Sequence, residues 1–277
     1  MTVYPLVLHL GRFEITGYGI MMMIGFLVGG WLIALELRRR GFYEEYAADI
    51  TVAAVVGGII GAKVWYWALN PGTSLFSRGG LVWYGGFLGG TLAVLINGRR
   101  LKVPVRWTTQ LCAPALAAAY ALGRIGCFIV NDDYGHPTTL PWGVKFPQGL
   151  PATTARNLQE QFGIPIPEGT DPAAVLAVHP TQLYEAVLML GVFMLLWRLR
   201  TQPRATGWLF GIYLVLAGVE RFLIEIVRAK DDRFFGPLTI AQLVSIVLVL
   251  AGIAVAVSRR GAEQLDPGPY LKRTADA

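Results

Sequence analysis

Arg221, Glu225 and Arg228 lie in one apolar run at spacings of four and three residues, so on a helix they share a stripe where neighbouring charges pair. Ionisable groups inside apolar spans are costly and read first as functional, with paired structural ions as the alternative. Two chemistries fit the stripe. One is a buried ion-pair ladder that lowers its own desolvation cost. The other is an outward cavity whose guanidinium forks hold an anionic group, phosphate above all, better than lysine does. Lys63, Arg124, Glu185 and Glu220 are the other ionisable residues of this kind.

Arg124 stands in Ala-Leu-Gly-Arg-Ile-Gly-Cys-Phe, where Gly123 and Gly126 permit close approach of another backbone or a ligand. A lone arginine near a helix end can also snorkel to the interface. Asn131, Asp132, Asp133, Tyr134, Gly135 and His136 follow directly. A dense polar cluster at the membrane surface is what a head-group site needs.

The elements that must position these residues are apolar. Of 277 residues 54% are hydrophobic and 15% charged, against about a quarter charged in soluble domains. Seven runs approach the roughly 20 residues a helix needs to cross the hydrocarbon core: Tyr18–Leu37, Asp49–Leu69, Leu81–Ile96, Thr108–Ile129, Pro180–Leu199, Gly207–Val227 and Leu238–Val257. Glycines within the first three allow helices to approach closely in lipid. The pattern predicts an all-α polytopic membrane protein with seven transmembrane helices and an extracytoplasmic head segment between helices four and five.

The net charge of +6 comes from short Lys/Arg clusters at Arg38–Arg40, Arg99–Arg106, Arg198–Arg204 and Arg259–Arg273, all on one side of that topology. This places the N-terminus outside and the C-terminus in the cytoplasm, and it argues against a nucleic-acid partner. The expected divisions are an outer N-terminal segment 1–17, helices one to four over 18–129, the Pro- and Gly-rich head segment 130–179, helices five to seven over 180–258, and a cytoplasmic tail 259–277, polar and mobile from 262 on. The start of the chain has no signal-peptide pattern, so the first helix is expected to serve as its own insertion signal. Cys112 and Cys127, 15 residues apart, would be separated by about 22 Å on one helix and cannot bridge. Neither they nor the three dispersed histidines (His9, His136, His179) show metal-ligand spacing, so neither a structural metal nor a cofactor is expected.

The run from Gly123 to Gly135, Pro141-Trp142-Gly143-Val144-Lys145-Phe146-Pro147 and His179-Pro180-Thr181-Gln182-Leu183-Tyr184-Glu185 resemble the bacterial prolipoprotein diacylglyceryl transferase family. Tyr18-Gly19, Gly61-Ala62-Lys63, Gly85-Gly86 with Gly89, Arg221 with Glu225 and Arg228, and Gln242 with Ser245 extend the resemblance over nearly the whole chain. It implies an enzyme of the bacterial inner membrane. The implied reaction moves the diacylglyceryl group of phosphatidylglycerol to the lipobox cysteine of a prolipoprotein signal peptide, forms a thioether and releases glycerol phosphate.

Carried over by position, Arg124 and Arg221 match the family's essential arginines, Asp132 falls where the family has glutamate, and Tyr18 matches a tyrosine at the site. The third-span motif of the family reads His-Gly-Gly, and here Tyr84 holds the histidine position. Val130-Asn131-Asp132 replaces Asn-Gly-Glu. The catalytic candidates are thus Arg124, Arg221, Asp132 and Tyr84. Those for substrate binding are Arg124, Arg221, Tyr18, Lys63, Asp133, Gly135, His179, Gln182, Glu185, Glu225 and Arg228. The base that deprotonates the thiol is open among Asp132, Asp133, His136 and Tyr84, with hydrogen bonding the favoured role for Tyr84, whose reference pKa is near 10. The rival functions are an inactive phosphatidylglycerol-binding homologue and a secondary transporter. Against the transporter, the intramembrane charges gather in the outer half.

Overall fold

A computed structural model describes residues 1–10, 13–72, 81–229, 233–235, 237–259 and 263–273, with residues 9, 10, 13 and 233–235 described by their backbone alone. Arg260 of the last basic cluster, residues 274–277 of the tail and the side chain of His9 therefore lie outside the described residues. Among the described residues there are eight helices: α1 (Gly17–Arg39), α2 (Tyr46–Leu69), α3 (Trp83–Arg100), α4 (Val105–Val130), α5 (Ala155–Phe162), α6 (Thr181–Leu199), α7 (Trp208–Glu225) and α8 (Ile240–Ser258). Two antiparallel hairpins accompany them, β1 (Val7–Leu10) with β2 (Phe13–Thr16) before α1, and β3 (Arg233–Phe235) with β4 (Leu238–Thr239) before α8. These pieces of strand and α5 have no counterpart in the hydrophobicity pattern.

Local chemistry sets the helix ends. Thr16 Oγ1 accepts from the Gly19 amide at 3.2 Å and starts α1. Thr239 and Gln242 form a capping box at α8. Pro104 and Pro180 precede α4 and α6, where a missing amide costs nothing. Asn131 closes α4 in the left-handed region, φ 64°, and so turns the chain abruptly into the polar 131–136 loop.

Helices α1, α2, α4, α6 and α8 are long and apolar enough to cross a membrane. The chain is a helical membrane protein. The other two long helices have 18 residues each: α3 is less apolar and ends in Arg99-Arg100, while α7 is apolar but carries three charges, Glu220, Arg221 and Glu225. Helix α4 is central and packs on α1, α6 and α7, while α2 pairs with α3 and α7 with α8. Small residues make the pairings possible. A Cβ on Gly61 would stand 2.8 Å from Gly89 Cα and one on Gly57 2.6 Å from the Gly89 carbonyl, so the α2 and α3 backbones touch. Gly211 and Gly218 of α7 meet α8 in the same way.

Two further cores flank the helices. Tyr134, Val144, Phe146, Leu158, Ile164 and Val178 pack together within the segment between α4 and α6, with Tyr134 Oη donating to the Pro151 carbonyl at 2.7 Å. At the opposite end, Leu37, Tyr46, Trp107 and Leu271 share one core. That arrangement corrects the expectation of a mobile tail. Leu271 is wholly buried, Trp107 Nε1 donates to the Leu265 carbonyl at 2.8 Å, Tyr270 Oη donates to Asp49 at 2.6 Å, and the Tyr43 amide donates to the Leu271 carbonyl at 3.1 Å. Leu271, with the partly buried Tyr270 packed beside it, anchors 263–273 on that core although the neighbouring residues are charged.

Candidate functional site

Four segments converge at one end of α4. Tyr120 and Arg124 lie one turn apart on α4, the 131–136 loop leaves its C-terminus, the first two turns of α6 supply Thr181, Gln182 and Glu185, and the end of α7 supplies Arg221 and Glu225. Arg228 follows α7 in a turn, two residues beyond its C-cap Ile226.

Charged groups of alternating sign run through this junction. Glu185 Oε2 receives Arg124 Nε at 2.7 Å, Arg124 Nη1 donates to Asp133 Oδ2 at 2.9 Å, and the other Asp133 oxygen takes Arg228 Nη2. Arg228 Nη1 lies 3.5 Å from Glu225 Oε2, which also accepts from Arg221 Nη2 at 2.5 Å. The helical stripe thus pairs as its spacing allows, and Asp133 joins it to Arg124. Tyr120, which the sequence reading passed over, completes the inner end. Its hydroxyl donates to Glu185 at 2.7 Å and accepts from Arg124 Nη2 at 3.1 Å. The available signal was its position four residues before Arg124 on the same helix face. Glu220 was noticed only as a charge in a span; it is buried beside this chain.

The chain is graded in exposure. The Glu185 and Glu225 side chains are sealed at 0% and 1%, whereas Arg221 is 21% and Asp133 39% exposed. Asp133 and Arg221 therefore form its accessible edge. Buried polar atoms with no hydrogen-bond partner among the described residues gather here too, including Asp132 Oδ1, Arg221 Nη1, Arg228 Nε and Glu220 Oε1. Unpartnered polar atoms at this density mark a place built to receive other polar groups.

The two adjacent aspartates differ. Burial pushes the Asp132 carboxyl up to about 6, with the Asp133 charge acting the same way. For Asp133 burial also favours the neutral form, but the Arg228 and Arg124 guanidiniums outweigh it and hold the carboxyl below the usual range. Burial, with His179 nearby, lowers the His136 pKa, and burial lowers that of His179. Cys127 Sγ and the Asp132 and Asp133 carboxylates lie within 4.8 Å of one another. The oxygens of Asp133 are engaged by two guanidiniums, so this trio is not arranged around a cation.

The loop is held by the remaining candidates. Gln182 Nε2 donates to the Asp132 carbonyl, Thr181 Oγ1 to the Asp133 carbonyl at 2.7 Å, and the Gly135 amide to the His179 carbonyl at 2.8 Å. A Cβ on Gly135 would stand 2.6 Å from the Val227 carbonyl and 2.8 Å from Thr181, so glycine is required where loop, α6 and α7 meet. Tyr18 adjoins α4 through Gly126, where a Cβ would come 3.3 Å from Tyr18 Cα. Lys63 and Tyr84 stand on the α2–α3 pair. Tyr84 is 62% exposed and packs edge-on against Trp83, outside the alternating chain.

The profile of the prolipoprotein diacylglyceryl transferase family matches residues 5–258. The chain belongs to that family. Proteins named phosphatidylglycerol–prolipoprotein diacylglyceryl transferase are similar along nearly their whole length. That of Geobacter sulfurreducens is 32% identical over 92% of this chain and 96% of its own. The Stenotrophomonas maltophilia protein is 33% identical over 95% and 94%, and the Clostridium tetani protein 29% over 91% and 96%. The matched region contains every residue of the alternating chain.

Proposed function

We propose that this protein transfers the diacylglyceryl group of phosphatidylglycerol to the cysteine thiol of a prolipoprotein lipobox, forming a thioether and releasing glycerol phosphate. The whole-chain family match carries this reading, and a junction of three arginines at the end of the helical bundle supports it.

The chemistry follows from the residues. The thiolate sulfur attacks the glycerol carbon that carries the phosphate ester; a C–S bond forms, the C–O bond breaks, and its electron pair leaves on the phosphate. Arg124 and Arg221, with Arg228 beside them, hold that phosphate and stabilise the charge gained as it departs. A free thiol has a pKa near 8.5, so a base assists its ionisation. Asp132 is the base: its carboxyl, near 6, is ionised at neutral pH, whereas Asp133 is held by two guanidiniums as their counter-ion. The accepted proton passes to the departing glycerol phosphate or to water. Glu185, Glu225 and Tyr120 orient the arginines, while Gln182, His179 and Gly135 hold the loop. Tyr18, Lys63 and Tyr84 border the substrates, Tyr84 as a hydrogen-bonding group. The reaction written this way needs no cofactor or metal.

In this proposal α3 and α7 complete seven spans around helices one to four (18–129) and five to seven (180–258) in the bacterial cytoplasmic membrane. The N-terminal segment 1–17 and the head segment 130–179 face outward, and the tail 259–277 is cytoplasmic. The one-sided basic clusters support that orientation. Mass spectrometry of a lipobox peptide incubated with the purified protein and phosphatidylglycerol tests the function: a diacylglyceryl adduct on its cysteine is expected. Lipid binding by folded protein with no adduct would favour an inactive homologue.

A further inference from the structure

A second cluster of guanidinium groups occupies the end of the bundle remote from Arg124. Glu36, buried in the last turns of α1, accepts on one oxygen from Arg39 Nη2 and Arg40 Nε, both at 2.6 Å. Its other oxygen accepts from Arg39 Nε at 2.8 Å and from Arg200 Nε, just beyond α6, at 3.1 Å. The carboxylate is saturated by four charge-assisted bonds, yet three guanidiniums against one carboxylate leave two positive charges in excess.

The surplus is held in place. The Arg40 guanidinium lies 5.1 Å from the Trp107 ring centre and the Arg200 guanidinium 3.5 Å from that of Trp197. Arg39 and Arg40 also approach the Arg200 carbonyl at 3.4 and 3.5 Å. Neutralising Glu36 takes one arginine; three, two of them fixed on aromatic faces, is more than that task requires. The Arg39 side chain is 37% exposed, the other two 16% and 17%, so the forks are sheltered but reachable. The cluster joins the ends of α1 and α6, two helices long and apolar enough to cross a membrane that both pack on α4; a crossing by them sets the cluster where hydrocarbon gives way to head groups. Basic pockets between spans at that level recognise anionic head groups, and planar forks match phosphate oxygens.

We propose that Arg39, Arg40 and Arg200 form a second binding site, for a phosphate anion such as that of a membrane lipid head group, at the end of the bundle opposite the Arg124 chain. The site is separate from the transfer chemistry and stands independently of it.

Native mass spectrometry of the full chain released from phosphatidylglycerol nanodiscs tests this. Arg39→Gln and Arg200→Gln are each expected to retain one lipid fewer than the unaltered protein, with transfer to a lipobox peptide unchanged. Glu36→Gln removes the internal competitor, so the lipid should survive to higher collision energy. Unfolding in nanodiscs of a neutral lipid separates the sources. A rise in the transition with added inorganic phosphate, absent in Arg39→Gln, identifies the free anion as a ligand, and a rise only with phosphatidylglycerol identifies the lipid. An equal lipid count in Arg39→Gln, with neither ligand giving an arginine-dependent rise, overturns the proposal, as does weaker retention in Glu36→Gln. Arg39→Gln is decisive if Arg200→Gln fails to fold, because Arg40 and Arg200 still cover Glu36 in it.

Discussion

Asp133 Oδ2 accepts from Arg124 Nη1 at 2.9 Å, which makes the loop aspartate the joint between the arginine of α4 and those of the α7 end. Because the second Asp133 oxygen engages Arg228, an incoming phosphate meets arginines that already hold a carboxylate. Binding is therefore an exchange of anions, and donor number and geometry decide it.

Arg124→Lys tests that geometry. A lysine ammonium cannot reach Glu185, Tyr120 and Asp133 together as the guanidinium does. Transfer should fall by about 100-fold or more, and Arg124→Ala and Arg221→Ala should abolish it. Arg124→Ala also leaves Glu185 buried without its cation, a cost of about 3–5 kcal/mol that thermal unfolding in detergent would register. Full transfer by Arg124→Ala would remove its phosphate-binding role.

Asp132 gives a pH signature. Its carboxyl, raised by burial to about 6, accepts a proton when ionised, so kcat/KM should be level above that value and fall roughly tenfold per unit below it. Asp132→Asn should lose about 10²–10⁴-fold in rate and with it the acid limb. Asp133→Asn should keep the limb, because the guanidiniums hold Asp133 ionised through this range. An unchanged acid limb in Asp132→Asn would assign the base elsewhere.

Tyr84→Phe should keep most of its activity and an unaltered pH profile, since the side chain is 62% exposed beside Trp83. A displaced profile, followed by initial rates on a lipobox peptide, would restore Tyr84 as a base.

The helix seam sets a stability prediction. Gly61→Val places atoms where the α3 backbone already lies, so it should cost about 1–3 kcal/mol, read as a lower unfolding temperature in detergent. Unchanged stability would mean that α2 and α3 part easily.

Much of this was legible in the sequence. The apolar runs located α1, α2, α4, α6 and α8 to within a few residues, because burial in lipid imposes one-dimensional hydrophobicity. The i, i+4 spacing announced the pairing of Arg221 with Glu225 on α7, and Arg228 joins Glu225 from just beyond the helix end. Asp133 as a bridge was not legible: its partners come from α4 and from the segment after α7, and left-handed residues at Asn131 and at Asp133 itself bring it between them. Tyr120 was hidden because a tyrosine in an apolar run looks like packing. The tail was misjudged because its charged composition masks two residues, Tyr270 and Leu271, that find a shared core only in three dimensions.

The docked tail also ties one end of the bundle. Residues 263–273 fasten to the α1–α2 turn through Tyr43, to α2 through Asp49 and to α4 through Trp107. Three helices are therefore pinned at one end like the leaves of a book at its spine. The other end of α1 is tied as well: the Leu6 amide donates to the Ile129 carbonyl at the end of α4 at 3.1 Å, and the Gly17 amide at the start of α1 donates to the Leu6 carbonyl at 2.8 Å. Helix α1 is thus fastened to α4 at both ends, and the arginine junction sits in a frame bound from two sides.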